Sequence, residues 1–299
     1  MVEKFIFNAR ANRVALPFRN MRNNIHPNQI SLFDSTQDRG VTLQKVAGGG
    51  DARGMSRVVC GHTYDDIISV ENLLTACREF LCGKRKRKDV EEFAVRLTDN
   101  IFALHRDLVV RTYRHVGYTA FKINDPKPRD IHKASIRDRL LHHAIYRILY
   151  PYFDRQFIHD SYSCRNGKGS HKAVSRFRDF GRIVSKNSTR TSFVLKCDIR
   201  KFFASIDHEI LKQILTRHIE NKEILQLLGE VIGSFHTEGK SGVGLPLGNL
   251  TSQLLVNIYM NEFDQFVKRK LKVKYYIRYA DDFVLLHKDK EYLEKLIPE

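Results

Sequence analysis

The sequence predicts an α+β fold, a small antiparallel sheet backed by helices. Three observations predict it. Tyr275–Tyr279 and 283–286 are aromatic and β-branched runs joined by the short polar step Ala280-Asp281-Asp282, the pattern of a tight hairpin. Residues 193–197 form a third short apolar run, and it ends on Asp198. Around these strands apolar residues recur at helical spacing, as at Leu255, Ile258, Tyr259, Phe263, Phe266 and Val267.

Composition narrows the function classes. The chain has 299 residues, 42% of them hydrophobic, enough for one large domain or two ordinary ones. No apolar run reaches the length of a membrane span, and the N-terminus carries no export signal, so a cytoplasmic protein is expected. Its five cysteines show no Cys-x-x-Cys pair, which argues against a zinc site or a disulfide framework. The net charge is +17. An excess of this size favours a polyanionic partner, nucleic acid above all.

Along the chain, residues 1–62 give no readable periodicity, and Ala47-Gly-Gly-Gly50 reads as a flexible break. Thr63-Tyr64-Asp65-Asp66 is followed by a helical stripe and no strand, so it reads as a capped helix start. That helix ends in a run of cations that includes Lys84, Arg85 and Lys86, either a solvated loop or a phosphate contact. A long helix is expected over 90–108. A proline-stiffened hairpin over 118–134 carries Lys127 and Arg129 at its tip. An amphipathic helix follows from Ile136 and is expected to stop before Pro151. The loop 161–170 offers Arg165 and Lys168 to phosphates but lacks the spacing of a Walker loop. Residues 182–191 read as loop.

The carboxylates differ in setting. Asp207 is placed to cap a helix. Asp198 ends an apolar strand, where a carboxylate is costly unless partnered. Asp281 and Asp282 are neighbouring like charges between strands. Such a pair is most often a solvated acidic turn, or else it holds a hard divalent cation such as Mg²⁺. Gly242-Val-Gly-Leu-Pro-Leu-Gly-Asn-Leu-Thr-Ser-Gln253 is a loop running into a helix that Thr251 or Ser252 would cap. In it, Gly248 would let a base or sugar approach the backbone.

Taken in order, these motifs resemble the reverse transcriptase family from about Tyr64 onward. Phe193-Val-Leu-Lys-Cys-Asp198-Ile-Arg-Lys-Phe-Phe203 is similar to its first palm motif, Leu245-Pro-Leu-Gly-Asn-Leu-Thr-Ser-Gln253 to the second, and Tyr279-Ala-Asp-Asp282 to its signature hairpin. The resemblance implies a right-hand polymerase with fingers over 63–190 and palm over 191–299, preceded by an appendage over 1–62. It implies RNA-templated DNA synthesis by a primer 3′-hydroxyl with two Mg²⁺ ions, Mn²⁺ being an alternative. Asp198, Asp281, Asp282 and the carbonyl of Ile199 would be the ligands. Lys127 and Arg129 would hold the triphosphate of the incoming deoxynucleotide, with Leu247 and Gly248 beside it and Phe203 as the steric gate. RNA template and a DNA or RNA primer are the implied partners.

Where most bacterial relatives carry Gln-Gly-x-x-x-Ser-Pro, this chain has Leu247-Gly248-x-x-x-Ser252-Gln253. That departure is similar to the enzymes of diversity-generating retroelements, bacterial or phage-encoded, which work with a small basic accessory protein. The alternatives are a group II intron or retron enzyme, or a non-catalytic nucleic-acid-binding remnant. Only 13 residues follow Leu286, so a C-terminal truncation that removes the thumb is expected.

Overall fold

A computed structural model describes residues 9–12, 59–124 and 128–297. The described path opens with β1 (Ala9–Asn12). Helix α1 (Tyr64–Ile68) starts with a reciprocal cap: the Thr63 hydroxyl accepts from the Asp66 amide at 3.3 Å, and the Asp66 carboxylate accepts from the Thr63 amide at 2.7 Å. The Tyr64-Asp65-Asp66 letters thus open a helix, as their context predicts. Helix α2 (Val70–Leu81) follows. The single helix expected over 90–108 is instead two, α3 (Lys88–Val95) and α4 (Leu97–Val109), broken at Arg96 with φ −118° and ψ 43°. The Asn100 side chain donates to the Phe93 carbonyl at 2.9 Å, satisfying one acceptor that the break releases.

Strands β2 (Tyr118–Ile123) and β3 (Arg129–Ala134) form the expected hairpin. Helix α5 (Ile136–Asp154) does not stop before Pro151 but runs through it. Leu149, Tyr150 and Phe153 are all buried there, and their burial offsets the missing amide. Helix α6 (Ser170–Val184) takes in the first residues of the stretch expected as loop.

Strand β4 (Phe193–Ile199) leads through a 3₁₀ turn, Phe203–Ser205, to α7 (His208–Thr216). Asp207 caps α7, its carboxylate accepting from the Glu209 and Ile210 amides at 2.9 and 3.0 Å. After α8 (Lys222–Gly233) comes α9 (Leu250–Gln265). Its N-cap is Asn249, without a side-chain capping bond. Thr251 and Ser252, expected as caps, are buried within the first turn instead. A π-helical turn, Phe266–Lys270, leads to β5 (Tyr275–Tyr279), β6 (Asp282–His287) and α10 (Lys290–Glu294).

The central sheet is antiparallel in the order β1-β4-β6-β5. β1 lies within the stretch expected as an appendage, yet its backbone pairs with β4, Arg10 opposite Asp198. Ala-Arg-Ala-Asn has neither alternation nor β-branched residues to announce it.

The strand period of two sorts β4 and β6 between two cores. Leu195, Cys197, Ile199, Phe283 and Leu285 join the main core, which runs from Cys60 to Leu293. Val194, Ile277 and Leu286 pack on the opposite face against Phe180 and Val184 of α6. Lys196, Asp198 and Asp282 share the α6 face by alternation, but all three are exposed. Helix α6 therefore covers one half of that face and leaves the carboxylate half open. Among the described residues no helix is long and apolar enough to cross a membrane.

Candidate active site

Strand register assembles the acidic cluster. Cys197 lies opposite Phe283, so one further step along the two strands brings Asp198 level with Asp282. The loop joining β5 to β6 has two residues, and Asp281 is the second. One carboxylate oxygen each from Asp198, Asp281 and Asp282 lie within 4.8 Å of one another. Burial pushes the Asp281 carboxyl up to about 6. A hydrogen bond from its own amide opposes the rise, the Asp282 and Asp198 charges add to it, and the Arg129 charge lowers it. The Lys196 ammonium stands 3.6 Å from Asp282 Oδ1, both side chains half-exposed.

The donor set fits a hard divalent cation. It is made of carboxylate oxygens alone, three of them converge, and it opens to solvent. Mg²⁺ or Mn²⁺ matches these oxygens, and a soft metal does not.

The Gly-containing loop 242–248 is tied to the segment after β4. The Leu245 amide donates to the Phe203 carbonyl at 2.8 Å, and the Gly244 amide to the Ile206 carbonyl at 2.7 Å. Phe203 is half-buried, edge-on to Phe202. At its other end the loop grips the hairpin: the His132 amide donates to the Leu247 carbonyl at 3.0 Å, and Asn249 Nδ2 donates to the His132 carbonyl at 2.7 Å. Gly248 has a φ of +103°, and a Cβ there would sit 2.9 Å from Cγ2 of Ile131. The positive φ and the Ile131 side chain of β3 thus both require the glycine.

Through this docking β3 is held to the site, and Arg129 at its start acts on Asp281. Lys127 lies outside the described residues. Replacing Asn249 by alanine removes one of the two ties and leaves a half-buried carbonyl without its partner, a cost of about 1–2 kcal/mol. Amides over 118–134 are then expected to exchange hydrogen on the order of tenfold faster, as read by mass spectrometry.

Asn249 and His132 were not singled out in the sequence. Nor was the buried network behind the acidic turn. Arg278 of β5 and Asp264 of α9 are both fully buried and ion-paired at 2.8 Å. The Tyr276 hydroxyl donates to Asp264 at 2.7 Å. The available signal was one cation and one anion, each set inside an apolar stretch.

The basic candidates divide. Arg165 is not presented to phosphates. Its side chain is 6% exposed, and it donates to the Asp154 carboxylate and to the carbonyls of Asp154, Ile158 and Ser161. Lys168 likewise donates to the His159 carbonyl at 2.8 Å and lies over the Tyr162 ring. Lys84 folds back over Phe80, and burial lowers its pKa. Arg85 and Lys86 are exposed in the turn after α2.

Residues 123–299 match the family described as reverse transcriptase (RNA-dependent DNA polymerase), and the chain belongs to that family. It is similar to Protein YkfC of Escherichia coli K12, 26% identical over 197 residues, 54% of this chain and 51% of that one. It is also similar to the group II intron-encoded protein LtrA of Lactococcus lactis subsp. cremoris, 27% identical over 183 residues, 60% of this chain and 27% of that protein. The chain thus spans about half the length of the first and about a quarter of the second. Among solved structures, a partial Cas6-RT-Cas1–Cas2 complex aligns with a TM-score of 0.46 at 21% identity, over 77% of this chain and 39% of that one.

Proposed function

We propose that this chain carries the fingers and palm of an RNA-directed DNA polymerase, with fingers over 63–190 and palm over 191–299. The observation that carries the reading is the convergence of Asp198, Asp281 and Asp282 within 4.8 Å on the open half of a sheet, in a chain of the reverse transcriptase family. Asp198, Asp281, Asp282 and the Ile199 carbonyl would hold two divalent ions. Those ions, when bound, supply the Lewis-acid stabilisation of attacking and leaving oxygens in phosphoryl transfer. The protein's share is placement. Arg129, with Lys127, binds the triphosphate from the hairpin, and the loop from Leu247 to Asn249 holds that hairpin against the palm. Phe203 stands where a ring excludes a ribose 2′-hydroxyl. The +17 charge, with Arg85 and Lys86 exposed, suits an RNA template and its primer.

Primer extension on an RNA template with Mg²⁺ tests the reading. Deoxynucleotides are expected to be incorporated and ribonucleotides excluded. Failure to extend with either nucleotide type, in this chain and in a fusion of it to a relative's thumb, sinks it.

Within the family we favour a diversity-generating retroelement, with a small basic accessory protein, because Leu247 stands where a polar side chain would contact the nucleotide. A site without that hydrogen bond discriminates less. Leu247→Gln is then expected to lower misincorporation at template adenines by about tenfold. An unchanged error spectrum removes this assignment. A group II intron enzyme is the second reading, supported by the likeness to LtrA.

A further inference from the structure

The acidic turn has an unusual support. Two-residue hairpin loops take a positive φ at their first position, where glycine, asparagine or aspartate is usual. Here that position is Ala280, with φ of 55°. A non-glycine residue held there is strained, and the surroundings must impose it.

Directly beneath lies Arg278, fully buried. All five of its N–H bonds have acceptors. Nε donates to Asp264 Oδ1 and Oδ2 at 2.8 and 3.0 Å, and Nη2 to Asp264 Oδ2 at 2.8 Å and Ser161 Oγ at 3.0 Å. Nη1 donates to Asn257 Oδ1 at 3.2 Å and to the Ala280 carbonyl at 3.0 Å. The Arg278 backbone is tied as well, its amide to the Asp160 carbonyl and its carbonyl to the Tyr162 amide, at 2.9 and 3.0 Å. One guanidinium thus joins α9, the 160–162 segment and the carbonyl that precedes Asp281.

We infer that Arg278, fixed by Asp264, is a positioning residue: it holds the Ala280 carbonyl and so sets where the Asp281 and Asp282 carboxylates meet a divalent cation. A lysine has three donors and no planar fork, so it cannot make this set of contacts. The two side chains lie within the sheet and helix, not in the open site. Their part in metal binding is therefore indirect, through the turn. The inference rests on the reading of the three carboxylates as metal ligands.

A buried ion pair also serves stability, and the test must separate the two roles. Replacing such a pair by apolar residues of similar volume is often neutral for stability. Arg278→Met with Asp264→Leu is that replacement, and it leaves the Ala280 carbonyl without its donor. Arg278→Lys is the second variant, keeping the charge. Mn²⁺ binding is read by electron paramagnetic resonance of the free ion, beside thermal unfolding and the Mg²⁺ dependence of primer extension.

The folded variants are expected to bind Mn²⁺ about tenfold more weakly or worse, in the range seen when partners behind metal ligands are lost. Half-saturation by Mg²⁺ should rise with it, while the KM for primer-template stays put. Wild-type affinity in either folded variant overturns the inference, and so does loss of fold in both, which would make the network structural alone. Failure of the wild-type protein to bind Mn²⁺ is a different result, and it removes the metal-site reading itself.

Discussion

Asp281→Ala is expected to lower deoxynucleotide incorporation on an RNA template by on the order of a thousandfold, about 4 kcal/mol of transition-state stabilisation. The expectation follows from placement. Asp281 is the half-buried member of the cluster, on the two-residue loop that the β5–β6 hairpin projects toward β4. No other described acidic side chain joins the three to take its place. Asp198→Ala should be equally damaging, since it removes the carboxylate that β4 delivers. Asp282→Asn should cost less, because Asp282 is half-exposed and shares its charge with Lys196. Single-turnover extension rates with saturating primer-template measure all three. An Asp281→Ala protein that extends within tenfold of wild type would end the assignment of this cluster to catalysis. Unfolding does not confuse the result, because loss of this carboxylate relieves a strained charge and leaves the core intact.

Much of this site could be read from residue order. Tyr64-Asp65-Asp66 and Tyr279-Ala280-Asp281-Asp282 are nearly the same letters, and their flanks separate them. A helical stripe follows the first, and strand runs bracket the second. Asp207 and Asp198 separate in the same way, one before a helix and the other at the end of an apolar strand. What stayed illegible depends on partners far away in sequence. Arg165 looks like an exposed loop cation until Asp154 and two carbonyls are seen to enclose it. Asn249 stands at the start of α9, yet its side chain serves His132, in a different element, and not the helix. The Arg278–Asp264 pair needs both the register of β5 and the rotation of α9, neither of which a local pattern fixes. β1 is hidden for another reason: backbone pairing alone makes it a strand, and its side chains say nothing.

The acidic turn also predicts how the metal-free protein responds to pH. The Asp281 carboxyl titrates near 6 in the folded chain against an ordinary 3.8, chiefly because burial penalises its charge. The folded state therefore holds more protons than the unfolded state between about pH 4 and 6, and stability falls as pH rises through that window. Below about pH 3 the group is neutral in both states and contributes nothing. Above pH 6 the full penalty applies, about 3 kcal/mol from the size of the shift. Asp281→Asn removes the ionisation and keeps the shape. In EDTA the variant should exceed wild type in unfolding free energy by roughly 2–3 kcal/mol at pH 7.5 and match it near pH 3. Mg²⁺ should reverse the order at pH 7.5, since it stabilises only a chain that has the carboxylate to bind it. Urea denaturation at the two pH values, with and without Mg²⁺, gives the four comparisons. A gap between variant and wild type that is the same at both pH values would show that burial of Asp281 does not carry the shift. A wild-type protein indifferent to Mg²⁺ at pH 7.5 would show that the charge collected on this turn is not there for a cation.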